Sequence, residues 1–289
     1  MIFWRILDNT LHPVKEVEKL GFEESEGLRI PDEYLESLSF TIMRTSPGIG
    51  DWGIISAMPR LLKNKYPKCK VFIPSKKLFS KLFNIDTNIM YDVFLNNPYV
   101  DGFVDEVKGE IFHDHYRIYS NNNPNIPLVE QMLKFWQFKE EEYSDSQPEL
   151  YWSDEEKELG DKIIQKFAGN NKFGTLLISK RFGTQFGKHD EASYINDSKK
   201  INELLSKFKL PYFYWTYKPL GNFRLDNLNP ILDMHNMDLR LQWYIKSKAK
   251  VNIGNQCGTN HCVVRYSDVY EIQRQSILGH NFVKGENYV

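Results

Sequence analysis

The sequence is poor in cysteine. Cys69, Cys257 and Cys262 are the whole supply, too few and odd in number for a disulfide framework, so the chain suits a reducing compartment. Any run of ~18 apolar residues is also missing, so no membrane-spanning helix is expected. The opening MIFWRILDNT holds a short apolar run broken by Arg5 and Asp8, without the apolar core or small-residue cleavage site of a signal peptide. A surplus of charge is absent too: 37 Lys plus Arg face 38 Asp plus Glu for a net charge of -1, which argues against a nucleic-acid partner recognised through a basic field. Neither GxSxG, GxxxxGK[ST] nor GxGxxG occurs where it would be needed, so a serine triad and the common phosphate loops have no support. These absences leave a cytoplasmic protein with no transmembrane segment, open at most to peripheral membrane contact.

What is present reads as globular. With 41% hydrophobic and 26% charged residues the composition is far from that of a disordered chain, and 289 residues suggest two domains. Residues 1–37 are mixed, with Pro13, Pro31 and the acidic EESE, and form an N-terminal extension. From Leu38 the pattern turns regular. LSFTIMRT is a buried-strand candidate, GIISAMPRLLKNKY carries apolar residues at helical spacing, and KVFIPS, KKLFSKLFN and NIMYDVFL read as strand, helix and strand. LVEQMLKFWQF is a further helix. After Pro148 a second series begins: SDEEKELGDKIIQKF opens with the capping box Ser153 and Glu156, and FGTLLIS, SKKINELLSKF, YFYWT, ILDMH, DLRLQWYIKSKA and KVNIG continue the alternation. Two α/β domains are therefore expected, residues 38–150 and 151–289, each built on a parallel sheet.

Two loops stand out. PGIGDWG places Gly48, Gly50, Trp52 and Gly53 around Asp51, between a strand and a helix, where backbone N–H groups and the helix dipole meet ligands in parallel sheets. Asp51 reads either as a helix cap or as a general base whose charge the helix N-terminus favours. GNQCGTNH collects small and hydrogen-bonding groups after the strand KVNIG, suited to phosphate oxygens or simply to a turn. Cys257, His261 and Cys262 are too few for structural zinc, which needs four ligands, so no metal is expected. HDH at 113–115 reads as strand or loop surface, and YFYWTY at 212–217 as a core strand.

In order, these segments resemble the glycosyltransferases of family 9, the ADP-heptose:lipopolysaccharide heptosyltransferase-like enzymes. The resemblance runs from about Phe40 to His261. It rests on a strand followed by Gly50-Asp51, a helix with Pro59 that closes in LLKNKYP, then NPYVDGFVDE, and finally GNQCGTNH. It implies two Rossmann-like domains facing each other across a cleft, the GT-B architecture, with the acceptor on the N-terminal domain and the nucleotide sugar on the C-terminal one. By the same resemblance Asp51 is the catalytic base on the acceptor-side loop of Gly48, Gly50, Trp52 and Gly53. Gly258 and His261 match the family's D-(S/T)-G-x-x-H phosphate motif, in which this chain has Gln256 for the acid and Cys257 for the hydroxyl, with Thr259 following. Lys188 is the nearest match to a family lysine, and Arg181 lies closer to the strand end. The implied activity is an inverting, metal-independent transfer of a heptose-like or other sugar from a nucleotide diphosphate donor to a glycan or lipid-linked glycan acceptor. No cofactor beyond that donor is implied. The contrasting expectation is a catalytically inactive nucleotide- or glycan-binding protein of the same fold, for which Gln256, Cys257 and the short stretch after His261 speak. A nucleotide-using oxidoreductase is disfavoured by the glycine spacing.

Overall fold

The computed structural model describes residues 4–7, 10–13, 28–29, 38–44, 46–113, 130, 133, 138–179, 182, 184–185, 188–216, 225–255, 258–272 and 285–289. The chain divides into two compact units, residues 1–146 and 147–289. In the first, β1 (Trp4–Leu7), β2 (Thr10–Pro13) and β3 (Leu28–Arg29) make a small antiparallel sheet from the N-terminal extension. A four-stranded parallel sheet follows, in the order β6 (Gly102–Val104), β5 (Lys70–Pro74), β4 (Ser39–Met43), β7 (Glu110–His113). Strands from β4 to β6 step outward on one side, and β7 returns to the other side of β4. The reversal of direction therefore falls beside β4.

β4 runs apolar because its sheet is covered: Phe40, Ile42 and Met43 are all buried. The expected helix over GIISAMPRLLKNKY is interrupted. A short α1 (Ile49–Gly53) precedes it, and α2 (Met58–Lys65) starts only at Met58 with Pro59 in its first turn, where a proline loses nothing by lacking an N–H. α3 (Lys76–Phe83) begins at Ser75, whose Oγ accepts from the Leu78 N–H at 3.1 Å. NIMYDVFL, expected as a strand, is helix α4 (Ile89–Phe94) instead. Ile89, Met90, Val93 and Phe94 are its buried residues, a spacing of one and four that suits a helical stripe, while Tyr91 is exposed. The third strand is β6, supplied by the following segment. Most of the helix expected over LVEQMLKFWQF lies outside the described residues.

The second unit starts with α5 (Asp154–Phe167), and its capping box forms as the sequence requires: the Glu156 N–H donates to Ser153 Oγ at 3.2 Å, and the Ser153 N–H to Glu156 Oε2 at 2.7 Å. Next come β8 (Gly174–Ile178), a two-residue hairpin of β9 (Thr184–Gln185) and β10 (Lys188–His189), and α6 (Glu191–Phe208). β11 (Pro211–Thr216), β12 (Asn229–Asp233), α7 (Leu239–Lys248), β13 (Val251–Asn255), the single turn α8 (Gly258–His261), β14 (Asp268–Ile272) and β15 (Glu286–Tyr288) complete it. Six strands pair in parallel in the order β12-β11-β8-β13-β14-β15. β8 and β13 are buried along their whole length, as central strands must be. The order reverses between them, which places the β13–α8 connection beside a topological switch point, the usual ligand position in such sheets.

Candidate functional site

In the first unit the chain leaves β4 at Arg44 and turns into α1 over a few residues. Gly48 is the N-cap, and it makes no side-chain cap bond. Asp51 is therefore the third residue of the helix and not its cap. Both carboxylate oxygens are held by side chains: Arg44 Nη2 donates to Oδ1 at 2.9 Å, and Ser46 Oγ donates to Oδ2 at 2.5 Å. Arg44 is fully buried while the Asp51 side chain is 36% exposed, so the ion pair faces solvent only through the carboxylate. A carboxylate has about four lone-pair sites, and two are occupied here.

The glycines and the tryptophan of this loop have separate roles. A Cβ on Gly48 would stand 2.4 Å from Asp51 Oδ2, so only glycine lets the carboxylate lie against the loop. Ser46 is itself fixed, since its Oγ accepts from the Gly48 N–H at 3.1 Å and its carbonyl from Trp52 Nε1 at 2.9 Å. The Trp52 ring is fully buried, edge-on to Phe79 and Phe94 at 5.8 and 6.3 Å. Trp52 thus anchors the loop in the core rather than lining a surface. Gly50 takes part in the helix through its carbonyl, which accepts from the Ile54 N–H at 3.0 Å, and Gly53 is buried.

In the second unit α8 presents Gly258, Thr259 and His261 just after β13. Gly258 is half-buried, but Thr259, Asn260 and His261 are buried and engaged. His261 Nδ1 bonds Glu286 Oε1, and the other oxygen of Glu286 accepts from the Tyr288 hydroxyl. Lys246 Nζ bonds Asn260 Oδ1 and also reaches Thr259 Oγ1 at 3.3 Å. Upstream, Asn255 at the end of β13 accepts from the Ser179 N–H at 2.7 Å and donates to Ser179 Oγ at 3.0 Å, tying the ends of β13 and β8 together. Lys188 lies on β10, opposite Gln185. Gln256, Cys257 and Arg181 lie outside the described residues, as do the side chain of Lys188 and the last two residues of HDH.

No family model and no curated protein matches the sequence. The structure, however, is similar to the crystal structure of a glycosyl transferase family 9 protein from Veillonella parvula, with a TM-score of 0.55 at 9% identity, over 88% of this chain and 84% of that one. This chain has the fold of a family 9 glycosyltransferase. Two Escherichia coli structures, ADP-heptose LPS heptosyltransferase II and heptosyltransferase WaaC with ADP-2-deoxy-2-fluoro heptose, give TM-scores of 0.42 and 0.45 at 10% identity. They are matched over 87% of this chain and over 92% and 93% of theirs.

On this family 9 fold the structure brings together residues that the sequence reading did not pair. Arg44 closes an apolar strand and needs an acid, and the nearest one downstream is Asp51. Glu271 is a charge between the apolar Val269, Tyr270 and Ile272 of the strand DVYEI, a signal that something buried must neutralise it. Among the described residues no helix is long and apolar enough to cross a membrane. Nor do three His, Cys, Asp or Glu side chains gather there as metal ligands would.

Proposed function

We propose that the chain is a glycosyltransferase of GT-B architecture, which moves a sugar from a nucleoside diphosphate donor to an acceptor hydroxyl with inversion. The observation that carries the reading is Asp51: on the fold of a family 9 glycosyltransferase, its carboxylate stands beyond the C-terminal end of β4, oriented by a buried arginine and one-third exposed. Asp51 takes the proton of the acceptor hydroxyl as the oxygen attacks the anomeric carbon, and the bond from that carbon to the diphosphate breaks. The turn Gly258–His261, with Lys188 or Arg181, stabilises the departing diphosphate, which makes a metal unnecessary. Because Thr259 and His261 are already bonded within the protein, the turn's backbone N–H groups are the natural phosphate donors.

Asp51→Asn tests this. The amide still accepts from Arg44 but cannot take a proton, so turnover falls on the order of 10²–10⁴-fold with donor affinity little changed. Stability falls by about 1–3 kcal/mol, because the fully buried Arg44 loses a charged partner. A folded Asp51→Asn with near-normal sugar transfer would remove the base assignment. If the wild type binds a nucleotide sugar but neither transfers nor hydrolyses it, the chain is a binding protein of this fold, a reading favoured by the engaged side chains of the turn.

A further inference from the structure

The turn Gly258–His261 is held from beneath by charges that the fold alone does not require. Lys246 on α7 and Glu271 on β14 are both fully buried, and Asn260 stands between them: its carbonyl oxygen receives Lys246 Nζ, while its Nδ2 donates to Glu271 Oε1 at 2.6 Å. The arrangement fixes the amide one way round, because the lysine can only donate and the carboxylate only accept. The fit is close. A Cβ on Gly254 would come within 2.6 Å of Asn260 Nδ2 and 2.9 Å of the Leu177 carbonyl, so β13 carries glycine where the amide passes. Lys246 is fastened in turn through its carbonyl, which accepts from Asn252 Nδ2 at 3.1 Å.

Burying a lysine and a glutamate costs desolvation energy that their mutual attraction only partly offsets, and apolar residues of similar volume commonly pack as stably or better. The network therefore needs a reason other than stability. Attraction of an anion is not that reason, since Glu271 balances Lys246 and the covered side chain of a second carboxylate, Glu286, sits on the neighbouring His261. What remains is geometry: a relay across three elements that leaves the turn one conformation.

We propose that Lys246, acting through Asn260 against Glu271, is a positioning residue that sets the turn Gly258–His261 in the shape that receives the diphosphate of the donor, a role that rests on the nucleotide reading above. Pre-set N–H groups bind a phosphate without ordering a loop at the moment of binding, so loss of the relay appears as weaker nucleotide binding rather than as unfolding.

Single substitutions would strand one buried charge, so the informative variants remove both. Lys246→Met/Glu271→Gln keeps an acceptor for Asn260, and Lys246→Met/Asn260→Leu/Glu271→Met makes the region apolar. Each full-length variant is compared with the wild type by thermal melting and by calorimetric titration with ADP, GDP and UDP as probes. The expected result is a melting temperature at or above that of the wild type, with the dissociation constant of the preferred nucleotide raised about tenfold or more. Wild-type affinity in a folded variant overturns the positioning role and leaves the nucleotide reading standing. Unfolding of both variants also overturns it, since the network would then serve the fold. If the wild type binds none of the three nucleotides, the nucleotide reading fails and this inference falls with it.

Discussion

A single atom separates glycine from every other residue at position 48, and it is the atom that would meet the Asp51 carboxylate. Gly48→Ala puts a methyl group 2.4 Å from Oδ2, and the carboxylate must leave its place between Arg44 and Ser46. The backbone there is ordinary extended chain, with φ at -69°, so the substitution brings no conformational strain. Transfer should fall at least about tenfold, with a stability loss of up to about 1–3 kcal/mol as in Asp51→Asn because Arg44 loses the same partner; unchanged rates would show that the position of the carboxylate does not matter. Tyr212 offers the opposite case, a polar atom with nothing to do. Its ring is fully buried against Gly174, its hydroxyl has no partner among the described residues, and burial pushes its pKa up to about 12. Tyr212→Phe removes an unsatisfied group and should raise stability by ~1 kcal/mol in denaturant unfolding, and a loss of that size would reveal a bond to the hydroxyl. Asp51 could be picked out in the sequence because glycines cluster around it. Its partners were harder to see: an arginine closing an apolar strand calls for an acid, but only the turn of the chain shows that Asp51 meets it there and that Ser46 reaches the same carboxylate.

Between elements, one missing side chain decides how α5 lies on α7. Gly160 is the buried residue of α5, and a Cβ there would meet the Tyr244 ring at 2.1 Å. Tyr244 is buried and held by its hydroxyl, which donates to Asp161 Oδ1 at 2.9 Å, so the ring cannot swing away. Helix propensity alone would make Gly160→Ala stabilising by ~1 kcal/mol, whereas overpacking costs about 1–3 kcal/mol, and the second term should win. A net loss of stability on thermal unfolding is expected; a gain would mean the helices part freely. The same scale shows how much of the fold the sequence carried. The capping box at Ser153 and the strands β4, β5, β8, β11 and β13 were readable because caps and apolar runs are local signals. NIMYDVFL was not, since a short apolar run suits a buried strand and a buried helix equally, and only the packing of Ile89, Met90, Val93 and Phe94 on one side decides it. β14 escaped notice because Asp268 and Glu271 break its apolar run, and β15 because three residues carry no period; their pairing comes from the sheet.

At the scale of the whole chain, the first unit couples its stability to acid. Strand order lay beyond the sequence, because pairing between distant segments leaves no local trace, yet that order brings Asp101 up to β5. Asp101 accepts from Lys63 at 2.8 Å, from Lys70 at 3.3 Å and from the Val71 N–H at 2.8 Å, and so joins α2, β5 and the approach to β6. Burial works to raise its pKa, but the hydrogen bonds from Lys63, Val71 and Lys70 together hold it below the ordinary aspartate value. Glu142 in the same unit is likewise lowered: burial raises it, and its bonds with the Lys139 N–H and Lys65 outweigh that effect. A carboxylate with a depressed native pKa binds fewer protons folded than unfolded. Its contribution is complete above the unfolded value, about 3.9 for Asp and 4.3 for Glu, and is lost as the pH falls through the lower native value. Both carboxylates lie in residues 1–146 and are partly exposed, so each contributes modestly. The first unit should therefore lose stability as the pH falls below the ordinary carboxylate range. Hydrogen exchange read by mass spectrometry between pH 5 and pH 2.5 should show amides of β4 and β5 losing protection more steeply in the wild type than in Asp101→Asn. Asp101→Asn should destabilise the first unit at pH 6, and its difference from the wild type should shrink as the pH falls through the lowered native value of Asp101. A difference that does not shrink with falling pH would mean that Asp101 contributes through packing and not through its charge.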